Sequence, residues 1–169
     1  MRIVSGSALI AVLLGGPLGR VVLAAESFTD PFSYCAAVGT IDAPDQRYSG
    51  PPAPDSIARG LQRALGASGA FQLSEHSFWR CMDGKVYACA VGANLPCQDK
   101  ANASRTPEPA LETFCQQDPN ADVIPASVTG RDTVYAWRCR NGAPVIERQV
   151  AQVDPRGFIA GIWYEIPRP

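Results

Sequence analysis

The single histidine is the first residue to consider for chemistry, because a Ser-His-Asp or Cys-His scheme would have to use it. His76 stands between Glu75 and Ser77. Adjacent side chains of an extended segment point to opposite faces, so these neighbours are badly placed to orient the imidazole. A thiol nucleophile would also leave an odd cysteine unpaired. The sequence therefore predicts a surface histidine before a strand, and no catalytic residue.

Acidic side chains offer a second route to catalysis, because glycoside hydrolases use two carboxylates roughly 5–9.5 Å apart. No spacing in this chain defines such a pair. The available acids are Glu75, Glu112, Glu147, Glu165 and Asp122. Solvated surface carboxylates are the simpler interpretation. A small carboxylate-dependent hydrolase of envelope polymers is the alternative function.

Cysteine count and spacing favour disulfides over a metal site. The cysteines are widely spaced, and the sequence has neither a C-x2-C pair nor a C-x-x-C-H haem motif. An even number in an exported chain predicts three disulfides. The six residues are Cys35, Cys81, Cys89, Cys97, Cys115 and Cys139. We predict no metal and no cofactor.

The N-terminal segment 1–24 resembles a secretory signal peptide. Arg2 precedes the apolar stretch 8–14, and Val22-Leu23-Ala24 supplies tolerated residues before a cleavage point. Arg20 and the break at 15–17 leave no apolar run long enough to span a bilayer, which disfavours a membrane helix. We expect a periplasmic or secreted protein with no stable membrane span in its mature chain.

The remaining residues, 25–169, are predicted to form one domain. The whole chain has 15 basic and 16 acidic residues, and both basic residues of the leader, Arg2 and Arg20, are lost on cleavage. The mature part then carries about −3, which disfavours a nucleic-acid partner. Hydrophobic residues make up 46% of the chain, which excludes disordered and collagen-like classes.

Three short helices are predicted from capping signals and apolar spacing. The first follows Asp30-Pro31 and ends at Gly39, with Phe32 and Cys35 or Tyr34 buried. A second begins at Asp55 and ends near Gly66, and a third is capped by Thr106, with Pro107 in its first turn, and stops at 118–120. The expected inner faces are Ile57, Leu61, Ala64 and Leu65 in the second helix, and Leu111, Phe114 and Cys115 in the third.

A hairpin over 78–89 is predicted around Asp83-Gly84, a pair suited to a two-residue turn. Because successive side chains of a strand point to opposite faces, Trp79 and Cys81 should share one face of the hairpin with Val86 and Ala88. Cys89 should lie on the other face, apart from Cys81. Residues 133–140, 145–153 and 158–166 are predicted to form a C-terminal antiparallel meander. In its last strand, Phe158, Ala160, Ile162, Tyr164 and Ile166 share one face, and Ile159 and Trp163 share the other.

The segment 79–84 recurs as 137–142, which indicates a diverged repeat spanning 31–97 and 107–169. Equivalent units would pair a helix cysteine with a hairpin cysteine, either within a unit (Cys35 with Cys81, Cys115 with Cys139) or between units. Cys89 and Cys97 would then pair with each other. In each copy an arginine follows the tryptophan. Arg80 and Arg138 are expected to cover the solvated face of a sheet, with joint recognition of an anion as the alternative.

The loop between Cys89 and Cys97 is a candidate binding loop, with Asn94 and Leu95 at its tip. A disulfide would pre-organise it and so reduce the entropy lost on binding. A covalent brace without a partner is the simpler interpretation.

The block 79–97, together with 135–139 and 154–158, resembles a family of small exported, cysteine-containing bacterial proteins of uncharacterised function. That resemblance implies export and one domain, and it brings no activity, ligand or catalytic residue.

We therefore expect a disulfide-stapled α+β fold, with short helices packed on antiparallel hairpins and a C-terminal β-meander. The predicted function is a non-enzymatic envelope or secreted module that binds a protein or a glycan. A structural partner in an envelope assembly is a further alternative, which would require a contiguous exposed apolar patch.

Overall fold

The computed structural model describes residues 26–66, 77–91 and 95–169. The predicted leader 1–24, Glu75, His76 and Asn94 lie outside them. The α-helices are Pro31–Val38 (α1), Asp55–Ala64 (α2), Pro109–Gln117 (α3) and Ala126–Thr129 (α4). The strands are Ser77–Met82 (β1), Lys85–Ala90 (β2), Tyr135–Arg140 (β3), Ala143–Gln149 (β4) and Tyr164–Ile166 (β5). This disulfide-stapled α+β architecture confirms the predicted class. No helix in the described ranges has the length and apolar character needed to cross a membrane.

Helix α1 begins and ends where its capping residues predict. The Asp30 carboxylate accepts a hydrogen bond from the backbone N–H of Ser33, and Pro31 occupies the first turn. Gly39 ends the helix at φ 77°, a conformation that glycine adopts without strain. The helix buries Phe32 together with both Tyr34 and Cys35.

Helix α2 packs across the sheet through a smaller face than predicted. Ile57 and Leu61 are buried as expected, but Ala64 and Leu65 are exposed. Gly60 supplies the third buried position, because a Cβ atom there would collide with Cγ2 of Ile166 in β5. The missing side chain lets the helix approach β5 closely, and the last turn extends beyond the sheet.

The β1–β2 hairpin has the predicted register. Cys81 faces Val86 and Met82 faces Lys85 across a turn in which Asp83 and Gly84 both have positive φ. Trp79, Cys81, Val86 and Ala88 are all buried on the face covered by α1 and α2. Register also keeps Cys81 and Cys89 on opposite faces, as predicted.

The predicted C-terminal meander is wrong. Strand β5 pairs antiparallel with β2 and gives a sheet ordered β1-β2-β5, whereas β3 and β4 form a separate two-stranded sheet. A 3-10 turn over Ala160–Ile162 interrupts the alternation on which the prediction rested. That turn redirects the chain, so Phe158, Ile159 and Trp163 are all buried although they were assigned to opposite faces.

Helix α3 begins two residues later than predicted, at Pro109 with Glu108 as its cap. A residue that precedes proline is disfavoured in helical conformation, and Glu108 is extended at ψ 155°. Leu111 and Cys115 are buried against β3, and Asp118 ends the helix as expected. The short helix α4 was not predicted.

Each predicted disulfide is formed. Cys35 bonds Cys81 and Cys115 bonds Cys139, so the structure follows the within-unit alternative. Cys89 bonds Cys97. The bonded cysteines are almost fully buried, and such bonds form and persist in an oxidising compartment.

The two helix-plus-hairpin units share detailed backbone geometry. In the first, the N–H of Cys81 donates to Ile41 and that of Gly84 to Gly39, at 3.0 and 2.9 Å. In the second, the N–H of Cys139 donates to Ala121 at 2.8 Å and that of Gly142 to Pro119 at 3.0 Å. The donors occupy the same hairpin positions in both units. In each unit the two acceptor residues are separated by one residue, and both lie in the segment that follows the helix. This correspondence supports the duplication hypothesis.

Candidate functional site

The described residues contain a cleft of about 750 Å³ along the free edge of β1. Its walls come from the loop after α1, the start of β1, the segment after the Cys89–Cys97 disulfide, and the chain around the 3-10 turn. The lining residues are Asp42, Ala43, Pro44, Asp45, Tyr48, Gly50, Pro52, Ala53, Ser77, Phe78, Trp79, Cys97, Gln98, Lys100, Phe158 and Trp163.

Both faces of the sheet contribute to this β1 cleft. Trp79 belongs to the core face covered by α1 and α2, where Tyr48 packs at 4.8 Å between ring centroids. Phe158 and Trp163 pack with Cys89 and Cys97 on the other face. Because residues from opposite faces line one cavity, the cavity runs along the sheet edge.

Three buried hydrogen-bonding groups of the lining residues have no partner among the described residues. They are the hydroxyls of Tyr48 and Ser77 and the indole N–H of Trp163. The Trp79 indole differs, because its N–H donates to the carbonyl of Pro52 at 2.8 Å. All three atoms are shielded from solvent, so they lie behind the surface that a ligand in the cleft would contact.

Ion pairs connect the charged side chains at one end of the cleft. Lys100 Nζ contacts Asp42 at 2.8 Å, and Arg156 Nε contacts the other oxygen of the same carboxylate at 2.8 Å. The hydrogen bond from Arg156 is the main reason that the pKa of Asp42 falls to about 2. Lys100 also lies 3.6 Å from the ring centroid of Phe158. This network holds the loop after α1 to the segments at 97–100 and 154–158.

Asp45 is paired in the same way. Its carboxylate accepts hydrogen bonds from Arg47, whose side-chain donation is the main reason that the pKa of Asp45 falls to about 2. The backbone N–H of Asp45 donates to the hydroxyl of Tyr34 at 3.0 Å. The cleft carboxylates are therefore ionised at neutral pH, and neither holds a proton for general acid catalysis.

Arg80 is buried behind the cleft, which corrects its expected place on a solvated face. Only 1% of its surface is exposed, and its guanidinium forms an ion pair with Asp154. Phe158 and Trp163 enclose it, with ring centroids 4.5 and 4.3 Å from Cζ. Side-chain alternation along β1 predicted the sheet face on which Arg80 lies. That face is covered by the chain around the 3-10 turn and not by water.

Arg138, the counterpart of Arg80 in the second unit, is half-buried and pairs with Glu147 and with Asp122. The two arginines lie in separate sheets and have separate acidic partners. They form no joint anion site in the described part of the molecule, because each guanidinium is already paired with its own acidic residues.

The remaining predicted site residues lie apart from the cleft. Leu95 is exposed, while Cys97 at the end of its loop lines the cleft. Glu112, Asp122, Glu147 and Glu165 do not line it. Glu165 is held by Lys85 at 2.9 Å on the outside of β2.

Sequence reasoning missed the cleft itself, because its walls come from segments that lie far apart in the chain. The sequence contains one partial indication of the cleft, at residues 154–158. There a predicted turn, Asp154-Pro155-Arg156-Gly157, places two charged residues just before an aromatic residue.

No group of three or more potential metal ligands occurs in the described part of the chain. No family model, curated protein or solved structure matches this sequence.

Proposed function

We propose that this protein is a bacterial, exported, non-enzymatic module, periplasmic or released, and that the β1 cleft binds its protein or glycan ligand. The observation that carries this proposal is the cleft itself: a cavity of about 750 Å³ lined by aromatic and polar side chains. Its volume lies in the usual range for ligand sites, roughly 300–1,000 Å³, and ligand sites commonly combine apolar walls with a few polar groups.

The covalent frame supports a binding role. Cys35–Cys81 fixes the strand that forms the cleft floor, and Cys89–Cys97 fixes one wall. A wall that is already ordered loses less conformational entropy when a ligand binds. The chain thus has the pre-organisation expected of a recognition surface.

The acids in the cleft favour binding over hydrolysis. A glycoside hydrolase needs one carboxyl group that is protonated at working pH. Asp42 and Asp45 each have a pKa of about 2 because arginine donates to them. Their charges serve to hold the loop after α1 in place.

The proposal is tested by presenting the oxidised protein to a displayed peptide library and to a glycan array. Phe78→Ala removes a ring that is 36% exposed at the cleft, and Val145→Ala is the matched control at 37% exposure on β4. We expect ligands from one of these sources to lose at least about tenfold in affinity with Phe78→Ala. They should bind Val145→Ala as they bind the wild type. Equal binding to all three proteins, or no ligand from either source, would refute the proposal.

A further inference from the structure

Within the described ranges, the edge of β1 away from β2 is paired only through Cys81, and its other backbone groups point toward the cleft. In a two-residue hairpin the residues flanking the turn bond each other, so alternate residues of β1 direct their N–H and C=O groups away from β2. Cys81 shows this directly, because its N–H and C=O bond those of Ile41, both at 3.0 Å. Trp79 and Ser77 follow at intervals of two and present their backbone groups to the same edge.

The ladder begun by Ile41 stops after one residue. Continued antiparallel pairing would place residue 43 beside Trp79 and residue 45 beside Ser77. The chain instead bends away after Ile41, with Asp42 held by Lys100 and Arg156 and with Asp45 bonded to Tyr34. The gap between this loop and β1 is the cleft, and these contacts hold it open.

The second unit protects the edge of β4, the strand equivalent to β2. Pro144 lies on β4 where alternation directs its nitrogen to the free edge, and proline has no N–H to offer. On the same strand, Glu147 is the extra residue of a bulge between the pairs Ala136–Arg148 and Trp137–Ile146. Proline and bulges at edges are devices that prevent strand addition. In the first unit, β5 covers the edge of β2, and β1 keeps a regular register with neither device.

We infer that an extended peptide segment of a partner protein binds in the β1 cleft by pairing as an added antiparallel strand with Ser77–Trp79. The inference deepens the proposed function and rests on it. Strand addition derives affinity from main-chain hydrogen bonds and specificity from pockets for alternate side chains.

The cleft provides such pockets on both sides of the edge. Side chains at one set of alternate positions face Tyr48 and Trp79, and those at the other set face Phe158 and Trp163. Asp42 and Asp45 are already paired with cations, so neither carboxylate is free to bind a basic side chain of the segment.

The test uses amide NMR of the oxidised protein and a capped heptapeptide of alternating valine and threonine. A second peptide has the same sequence with N-methyl groups at alternate residues, on the edge that would face β1. We expect the first peptide, at millimolar concentration, to shift the amides of Ser77 and Trp79 and to slow hydrogen exchange at Trp79. The methylated peptide should do neither, because it cannot complete the ladder.

Two variants separate backbone pairing from side-chain contact. Ser77→Pro removes an edge N–H, as Pro144 does on β4, and should weaken the peptide about tenfold. Ser77→Ala retains the N–H and removes only a hydroxyl that is buried from the cleft, so it should bind within about twofold of the wild type. Native dispersion of the amide signals checks that both variants fold. The methylated peptide tests backbone pairing independently, in the unaltered protein.

Other outcomes would overturn the inference in distinguishable ways. Equal binding of both peptides would show that the edge is not used. Cleft amides that respond to a neutral oligosaccharide and not to the peptide would keep the proposed function and replace the ligand class. No response to either probe would count against both proposals. Protection of Trp79 that grows with protein concentration alone would assign the edge to a second copy of this chain.

Discussion

Replacing Asp154 with asparagine leaves the guanidinium of Arg80 buried without its counter-charge. The side chains of this pair are 1% and 5% exposed. Oδ1 of Asp154 accepts from the N–H groups of Arg156 and Phe158, at 2.8 and 3.0 Å, while Oδ2 accepts from Arg80. An asparagine at this position still accepts hydrogen bonds from the backbone N–H groups of Arg156 and Phe158 through its carbonyl oxygen. Its NH2 group then faces the guanidinium of Arg80, so only the ionic contact is lost.

The expected loss in the free energy of unfolding is about 3–5 kcal/mol, the usual cost of removing one partner of a buried ion pair. That is a large fraction of the roughly 5–15 kcal/mol available to a domain. Urea unfolding followed by tryptophan fluorescence measures it. Glu147→Gln is the matched control, because Glu147 pairs with the partly exposed counterpart Arg138, and it should cost no more than about 1 kcal/mol. A loss for Asp154→Asn no greater than that of the control would refute the reasoning.

The same variant has a predicted pH dependence. Burial by itself raises the pKa of Asp154, but hydrogen bonds from Arg80 and two backbone N–H groups outweigh it and hold the pKa below 3.8. A lowered carboxyl pKa gives stability that is complete above the unfolded-state value and is lost as pH falls through the folded-state value. The difference in unfolding free energy between wild type and Asp154→Asn should therefore be constant near neutral pH and shrink below about pH 4. A constant difference down to about pH 2 would contradict the assigned charge.

Two further substitutions test packing and covalent constraint. Gly60→Ala should destabilise by about 1–3 kcal/mol because its Cβ collides with Ile166, whereas Gly161→Ala, which has open space, should change unfolding by less than about 0.5 kcal/mol. Equal effects in thermal unfolding would contradict the close packing of α2 on β5. Replacing Cys115 and Cys139 together by serine removes the covalent link between α3 and β3 and should lower stability by about 3 kcal/mol. A change below about 1 kcal/mol in urea unfolding would show that the helix and hairpin are held mainly by packing.

Local signals predicted the parts of the fold that neighbours in sequence determine. The Asp83-Gly84 turn sets the hairpin register, and the register then separates Cys81 from Cys89. Asp30 and Gly39 likewise set both ends of α1. These features depend on turn and capping chemistry within a few residues, which a single sequence displays.

Pairing over long distances was not predictable in the same way. Strand β5 forms its backbone hydrogen bonds with β2, which lies far earlier in the chain. The alternation of apolar and polar side chains along a strand carries no information about which sheet edge that strand joins. Arg80 was expected in water because alternation gives a side chain's face but not what covers that face. The cleft escaped prediction for both reasons, since its floor is a local strand and its walls are distant segments.

The two helix-plus-hairpin units differ in what each contributes to the cleft. All the residues that line the cleft come from positions 42–100 and 158–163, so the hairpin and helix of the second unit supply none of them. That copy nevertheless keeps its own disulfide and its own apolar cluster. Under the proposed function, ligand contact constrains the first hairpin and the chain around the 3-10 turn, whereas the surface of the β3–β4 hairpin is free to vary as long as its interior packs. Homologous chains should accordingly preserve Trp79 and Trp163 together while their β4 surfaces differ.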